Sequence, residues 1–213
     1  TINGAVTGTG TISGSSSSNI IIGANAAAGT LKFTSGSNAL KNLTLNAGSS
    51  ASLGNALNIA TGATPGVLTV NSSATLTTGG FLTLKSDATG TARVANIGTG
   101  GSISGEVSVE RYIPQNTNRA WRALAVPTYS ATQTIANSWQ LGTLITGPGG
   151  ANGLDQSTGG FSMMSYNPAT DALVGVGNMT SVISGNTAAP AAYYLYVRGD
   201  RNTGVANTNL NPT

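Results

Sequence analysis

Leu43–Gly66 (LTLNAGSSASLGNALNIATGATPG), Leu68–Gly90 (LTVNSSATLTTGGFLTLKSDATG) and Ala92–Pro114 (ARVANIGTGGSISGEVSVERYIP) nearly repeat one another. Three triplets recur. The first series is Leu43-Thr44-Leu45, Leu68-Thr69-Val70 and Ala92-Arg93-Val94. The second is Ala51-Ser52-Leu53, Ala74-Thr75-Leu76 and Ser102-Ile103-Ser104. The third is Leu57-Asn58-Ile59, Leu82-Thr83-Leu84 and Val107-Ser108-Val109. Most triplets are apolar at the outer positions and polar in the middle, the alternation of a strand with one face in a core. Separated by Gly/Ser/Asn/Thr corners at a period in the low twenties, they predict a parallel β-solenoid. Leu45, Leu57, Ile59, Val70, Leu82 and Leu84 are the expected inward residues.

One coil does not hold by itself. Roughly six inward side chains contribute about 1.5–3 kcal/mol each, against roughly 1–2 kcal/mol of backbone entropy for each of some two dozen residues. Stacking adds ladder hydrogen bonds and covers both sides of every layer, so stability belongs to the pile. Thr1–Asn42 reads as looser solenoid, with strands at Thr11-Ile12-Ser13, Asn19–Ile22, Leu31-Lys32-Phe33 and Ala39-Leu40, and corners that include Ala24–Gly29. The solenoid is placed at 1–112, in about four coils.

At Glu106–Pro114 (EVSVERYIP) the texture changes, and Pro114 stops the ladder. Both Trp, all three Met, five of the six Tyr and five of the seven Pro follow Pro114. Such aromatics supply a globular core. Residues 113–213 are expected to be a β-sandwich-like domain. Its strands are Ala120–Val126, Phe161–Tyr166, Leu173–Val176 and Tyr193–Val197, with a weak one at Met179–Ile183 and a helix or strand at Ile135–Leu144. The predicted fold class is therefore all-β.

Composition narrows the function. Only 7% of residues are charged, against roughly 25% in ordinary soluble domains. The nine Lys and Arg are scattered, which argues against a nucleic-acid surface. With no His and no Cys, the commonest general base and thiol chemistry are missing. The longest aliphatic run, Ile20-Ile21-Ile22, is far too short for membrane insertion. The six acids are Asp87, Glu106, Glu110, Asp155, Asp171 and Asp200. Glu106 and Glu110, four residues apart on a strand, stand about 13 Å apart, beyond the usual spacing of paired-carboxylate hydrolysis. Asp87 lies one coil before Glu110, a conceivable but isolated pair. No catalytic residue, cofactor or metal ligand is assigned. Calcium at loop carbonyls with Asp155 or Asp171 stays open, although there is no Asp-x-Asp-Gly loop.

Five of the nine basic residues, Arg111, Arg119, Arg122, Arg198 and Arg201, flank the junction or the Tyr193–Val197 strand. Arg119, Trp121 and Arg122 can form a stacking platform for a sugar or other planar ligand. In the plainer alternative Trp121 is core, and an Arg packs over it or pairs with Glu110 or Asp200. Arg198-Gly199-Asp200 spells a cell-attachment tripeptide, which a strand ending in a turn explains as well. Arg119, Trp121, Arg122, Arg198 and Asp200 are the candidate ligand or interface residues. A Thr ladder of the ice-binding kind is not expected, because Thr75-x-Thr77 finds no counterpart at Ala51/Leu53 or Ser102/Ser104. The glycosylation triplets at Asn42, Asn71 and Asn178 are read as chance.

Val107–Pro114, Arg119-Ala120-Trp121-Arg122, Tyr166-Asn167-Pro168-Ala169-Thr170 and Tyr196–Arg201 occur together and in this order. In this the chain resembles the repeat-rich β-solenoid surface proteins of Bacteroidota, including adhesin-like proteins exported by the type IX secretion system. The resemblance covers most of the chain and implies an extracellular, cell-surface location. It also implies a non-catalytic structural or adhesive role, within one long chain or a fibre. A carbohydrate-binding or polysaccharide-degrading β-helix module is the alternative. Expected partners are neighbouring domains or copies of the same protein, with surface polysaccharide as a further class. Thr1 begins within repeat-like sequence without a capping helix, so the chain is expected to be part of a longer protein and to assemble end to end.

Overall fold

The computed structural model describes residues 1–114, 118–128, 130–150, 152–183, 192–199 and 201. The chain gathers into two compact units, Thr1–Tyr112 and Ile113–Thr213.

The first unit is a parallel β-solenoid of about four turns, built on three sheets. The chain visits the three in turn in each coil. The first sheet stacks Asn19–Ile22, Asn42–Leu45, Val67–Val70 and Arg93–Val94. The second stacks Ala27–Leu31, Ser50–Leu53, Thr75–Thr77 and Ser102–Ser104, and the third Ala39–Leu40, Leu57–Ile59, Leu82–Leu84 and Val107–Val109. Ahead of these, Ile2 bridges Ile22 and Ile12 bridges Phe33, both parallel. All six predicted inward residues are buried. They stack on their own kind, Leu57 on Leu82 and Ile59 on Leu84, with Thr and Asn between them facing out.

The turn between the first and second sheets recurs in every coil. Gly23, Asn46, Asn71 and Gly98 each accept a hydrogen bond from the N–H three residues on, at 3.1, 3.1, 3.1 and 2.8 Å. The third residue of each turn is left-handed: Asn25 (φ 56°), Gly48 (70°), Ser73 (56°) and Gly100 (72°). Glycine takes that conformation without a Cβ clash, and Asn tolerates it. Asparagine side chains also link successive coils at both ends of the first-sheet strands. Asn42 donates to Asn19 at 2.7 Å and accepts the Val67 N–H at 3.1 Å; Asn71 donates to Asn46 at 3.3 Å. Two of the three glycosylation triplets therefore hold asparagines engaged between coils.

Register differs from expectation in places. The third series aligns as predicted. In the first, Val94 stands beside Leu68 rather than Val70. In the second, Ser52 faces Thr77 and Ile103 faces Leu76, so Ala51 aligns with Leu76 rather than Ala74. The outward rows are then Ser50–Thr75–Ser102 and Ser52–Thr77–Ser104. Hydroxyls line these rows, with Thr30 aligned on Ser52 as well, but no Thr-x-Thr pair recurs from coil to coil, as expected. Ala27–Leu31 is a strand where a corner had been expected to run to Gly29.

The second unit contains one antiparallel sheet among its described residues, ordered Ala120–Ala125, Ala192–Val197, Met163–Asn167, Ala172–Gly175. Met163, Tyr193, Leu195 and Val197 cover its inner face. Against them pack Ile135, Ile145, Leu154, Met179 and Ile183, from loops and the short helix-bearing segment around Trp139–Gly142. The arrangement is sandwich-like only loosely, since among the described residues the second layer is loop rather than sheet. Met179–Ile183, expected as a weak strand, contributes one isolated bridge, Val182 to Thr134.

Candidate functional site

Strand alternation sorts the five candidate residues. Trp121 pairs with Tyr196 across neighbouring antiparallel strands, and Arg122 pairs with Leu195. Leu195 is buried, so Arg122 lies on the inner side and Trp121 on the outer. Trp121 is 42% exposed, whereas Arg119 is 6% exposed. Trp121 is thus a surface residue and not core, and the platform of Arg119, Trp121 and Arg122 does not form. Asp200 lies outside the described residues, so the cell-attachment tripeptide is described only at Arg198 and Gly199.

A different set comes together. The Trp121 and Tyr196 rings have centroids 5.5 Å apart and planes inclined at 56°. Arg198, two residues beyond Tyr196 and on the same face, places its guanidinium carbon 5.0 Å from the Tyr196 ring centroid. That is a cation–π arrangement. These three side chains line an open depression of about 290 Å³, whose remaining wall is Thr158–Ser162. Gly159 and Gly160 leave the rim bare; a Cβ at either would meet nothing within 4 Å. The Thr158 hydroxyl donates to the Gly160 carbonyl at 2.7 Å and shapes that rim.

Phe161 anchors this wall. A Cβ at Gly175 would lie 1.9 Å from its ring, one at Gly147 2.7 Å and one at Gly177 2.9 Å. The ring fills a slot that three missing side chains create. Ser162, beside it, is fixed on both backbone groups: its N–H donates to Thr146 at 2.9 Å, and its carbonyl accepts the Tyr196 N–H at 2.7 Å.

The electrostatics are positive. Burial, together with the nearby Arg198 charge, pushes the Arg119 guanidinium below its ordinary value. The described acids of this unit are engaged elsewhere. Asp155 accepts the Ile145 N–H at 2.8 Å and pairs with Arg201 at 2.7 Å; Asp171 accepts the Tyr166 hydroxyl at 2.8 Å.

In the solenoid, Glu110 pairs with Lys85 and accepts the Ser86 N–H at 3.2 Å. Asp87 instead accepts hydrogen bonds from Thr61 and Thr89. The conceivable Asp87–Glu110 pair is therefore split between different partners, and Glu110 pairs with a lysine rather than an arginine of the platform. Among the described residues no three of His, Cys, Asp and Glu gather as metal ligands, and no helix is long and apolar enough to cross a membrane.

Sequence reasoning singled out Trp121 and Arg198 but missed that Tyr196 joins them. It also missed the Thr158–Ser162 wall. The Gly159-Gly160 pair was the available signal, since paired glycines mark a loop. Compared with protein-family models, curated proteins and solved structures, the chain matches none.

Proposed function

We propose that the chain is a non-catalytic structural and adhesive module of a secreted cell-surface protein. The solenoid serves as a spacer, and the second unit presents the contact surface. The observation that carries the reading is the Trp121–Tyr196 pair beside Arg198, large aromatics held at the surface rather than spent on the core. Exposed aromatic and arginine side chains grouped around a depression are the residue types that dominate recognition surfaces. The commitment of Glu110, Asp155 and Asp171 to structural partners supports the non-catalytic half. The resemblance to exported surface proteins supports the location. Parallel coils that join through backbone ladders suit end-to-end addition of further coils or copies, through contacts that high salt does not screen.

The test is retention of the purified chain on immobilised surface polysaccharides and intact cells, with release of reducing and unsaturated sugars measured in the same samples. Retention without release is the expected result. Turnover that Glu110→Gln or Asp87→Asn removes would refute it.

A further inference from the structure

The adhesive reading leaves the ligand class open, and the depression narrows it. We propose that the Trp121–Tyr196–Arg198 depression binds an anionic saccharide, with a pyranose ring on the exposed indole of Trp121 and its carboxylate on the guanidinium of Arg198. This rests on the adhesive reading and adds the chemistry of what is held.

Three observations converge. First, the shape is open and small. About 290 Å³ lies just below the usual range of ligand sites, roughly 300–1,000 Å³, a size for one or two sugar rings on a longer chain. The bare rim at Gly159 and Gly160 lets such a chain enter and leave. Second, the aromatic surface is split in function. Tyr196 lies between the other two, with the Trp121 ring 5.5 Å away and the Arg198 guanidinium 5.0 Å away. Tyr196 holds Arg198 in place, so less side-chain freedom is lost when a ligand arrives. Trp121 is left to offer its apolar face to the C–H face of a sugar.

Third, the charge favours an anion. The planar guanidinium fork matches a carboxylate in two-point contact. Arg119 lies close enough for the Arg198 charge to lower its pKa. A ligand carboxylate seated on Arg198 offsets its positive charge. A neutral sugar does not.

The experiment titrates the full chain with oligogalacturonate, a carboxylated saccharide, and with the same oligomer after methyl esterification. AMP, with a planar ring and an anion but no pyranose, is the control. Calorimetry and chemical-shift changes at the Trp121 indole N–H give the readouts. The acid form should bind at least tenfold more tightly than the ester and than AMP, and high salt should weaken it. Trp121→Ala and Arg198→Gln should each cost tenfold or more with melting temperature unchanged, and Arg198→Lys should recover part of the loss. Gly160→Leu puts a bulky side chain on the open rim and should block binding as well. Equal affinity for acid and ester, tight binding of AMP, or binding indifferent to Trp121→Ala overturns the proposal. If the chain holds neutral polysaccharides or cells but not the acid oligomer, the adhesive reading stands and this inference falls. If it holds none of them, both fall.

Discussion

Asn55 stands in for a strand beside Phe33. Its side-chain oxygen accepts the Phe33 N–H at 2.7 Å, and its side-chain nitrogen donates to the Phe33 carbonyl at 2.7 Å. Phe33 is 1% exposed, so water does not readily replace either bond. Each orphaned buried group costs about 1–3 kcal/mol. Asn55→Leu is therefore expected to destabilise the solenoid by ~2 kcal/mol or more and to speed hydrogen exchange at the Phe33 amide. Unchanged exchange there would mean the pair is dispensable.

Leu82 lies in register between Leu57 on one coil and Val107 on the next. A carboxylate at that depth, unpaired, costs several kcal/mol. Leu82→Asp is expected to remove the cooperative thermal transition of the solenoid. An unaltered melting curve, followed by circular dichroism, would show that the stack does not run through this residue.

Gly175 has no space for a methyl group, because the Phe161 ring occupies it. Overpacking of this kind costs about 1–3 kcal/mol. Gly175→Ala is expected to lower stability in that range under denaturant and to move Phe161, distorting the ligand wall as well. Gly160→Ala, in open space, provides the neutral comparison.

Asp87 has its carboxyl lowered from 3.8 to about 2, chiefly by the Thr61 hydroxyl and then by Thr89. The sign follows from linkage. A depressed acid contributes stability above its unfolded value, and that contribution is lost as pH falls from about 3.8 towards about 2. The Asp87 corner should stay intact at pH 4 and loosen only near pH 2. A carboxyl resonance of Asp87 that titrates near 4 would contradict this. Thr61→Val should move its midpoint upward.

How much of this was legible is a matter of which forces leave a pattern in one chain. The Leu57/Leu82/Val107 series could be read outright, because large apolar residues fix both the face and the phase of a strand. The Ala51/Leu76/Ile103 row could not. Ala and Ser are tolerated inside and outside, and the corners before them differ in length, so phase slips by two residues without penalty in the pattern. At the site, Trp121 and Arg198 stood out by residue type. Their grouping depends on the antiparallel register of Trp121 against Tyr196, which no local feature records. The separation of Arg122 from Trp121, by contrast, was legible, because adjacent residues of the predicted strand point to opposite faces.

The coils of this solenoid are not of equal length. Partners on successive coils lie 23 residues apart at Asn19 and Asn42, 25 at Asn42 and Val67, and 27 at Thr75 and Ser102, yet the strands stay in parallel pairing. The surplus is stored at corners. One of them folds back as a miniature hairpin, Ser86–Asp87 against Gly90–Thr91, pinned by its own Thr89 and by Thr61 from the coil before. Spacing between rungs is set by the ladder and not by what hangs from it. Such a corner is a natural port for cargo: a peptide spliced between Asp87 and Gly90 would be carried on the outside of the solenoid without disturbing the rungs.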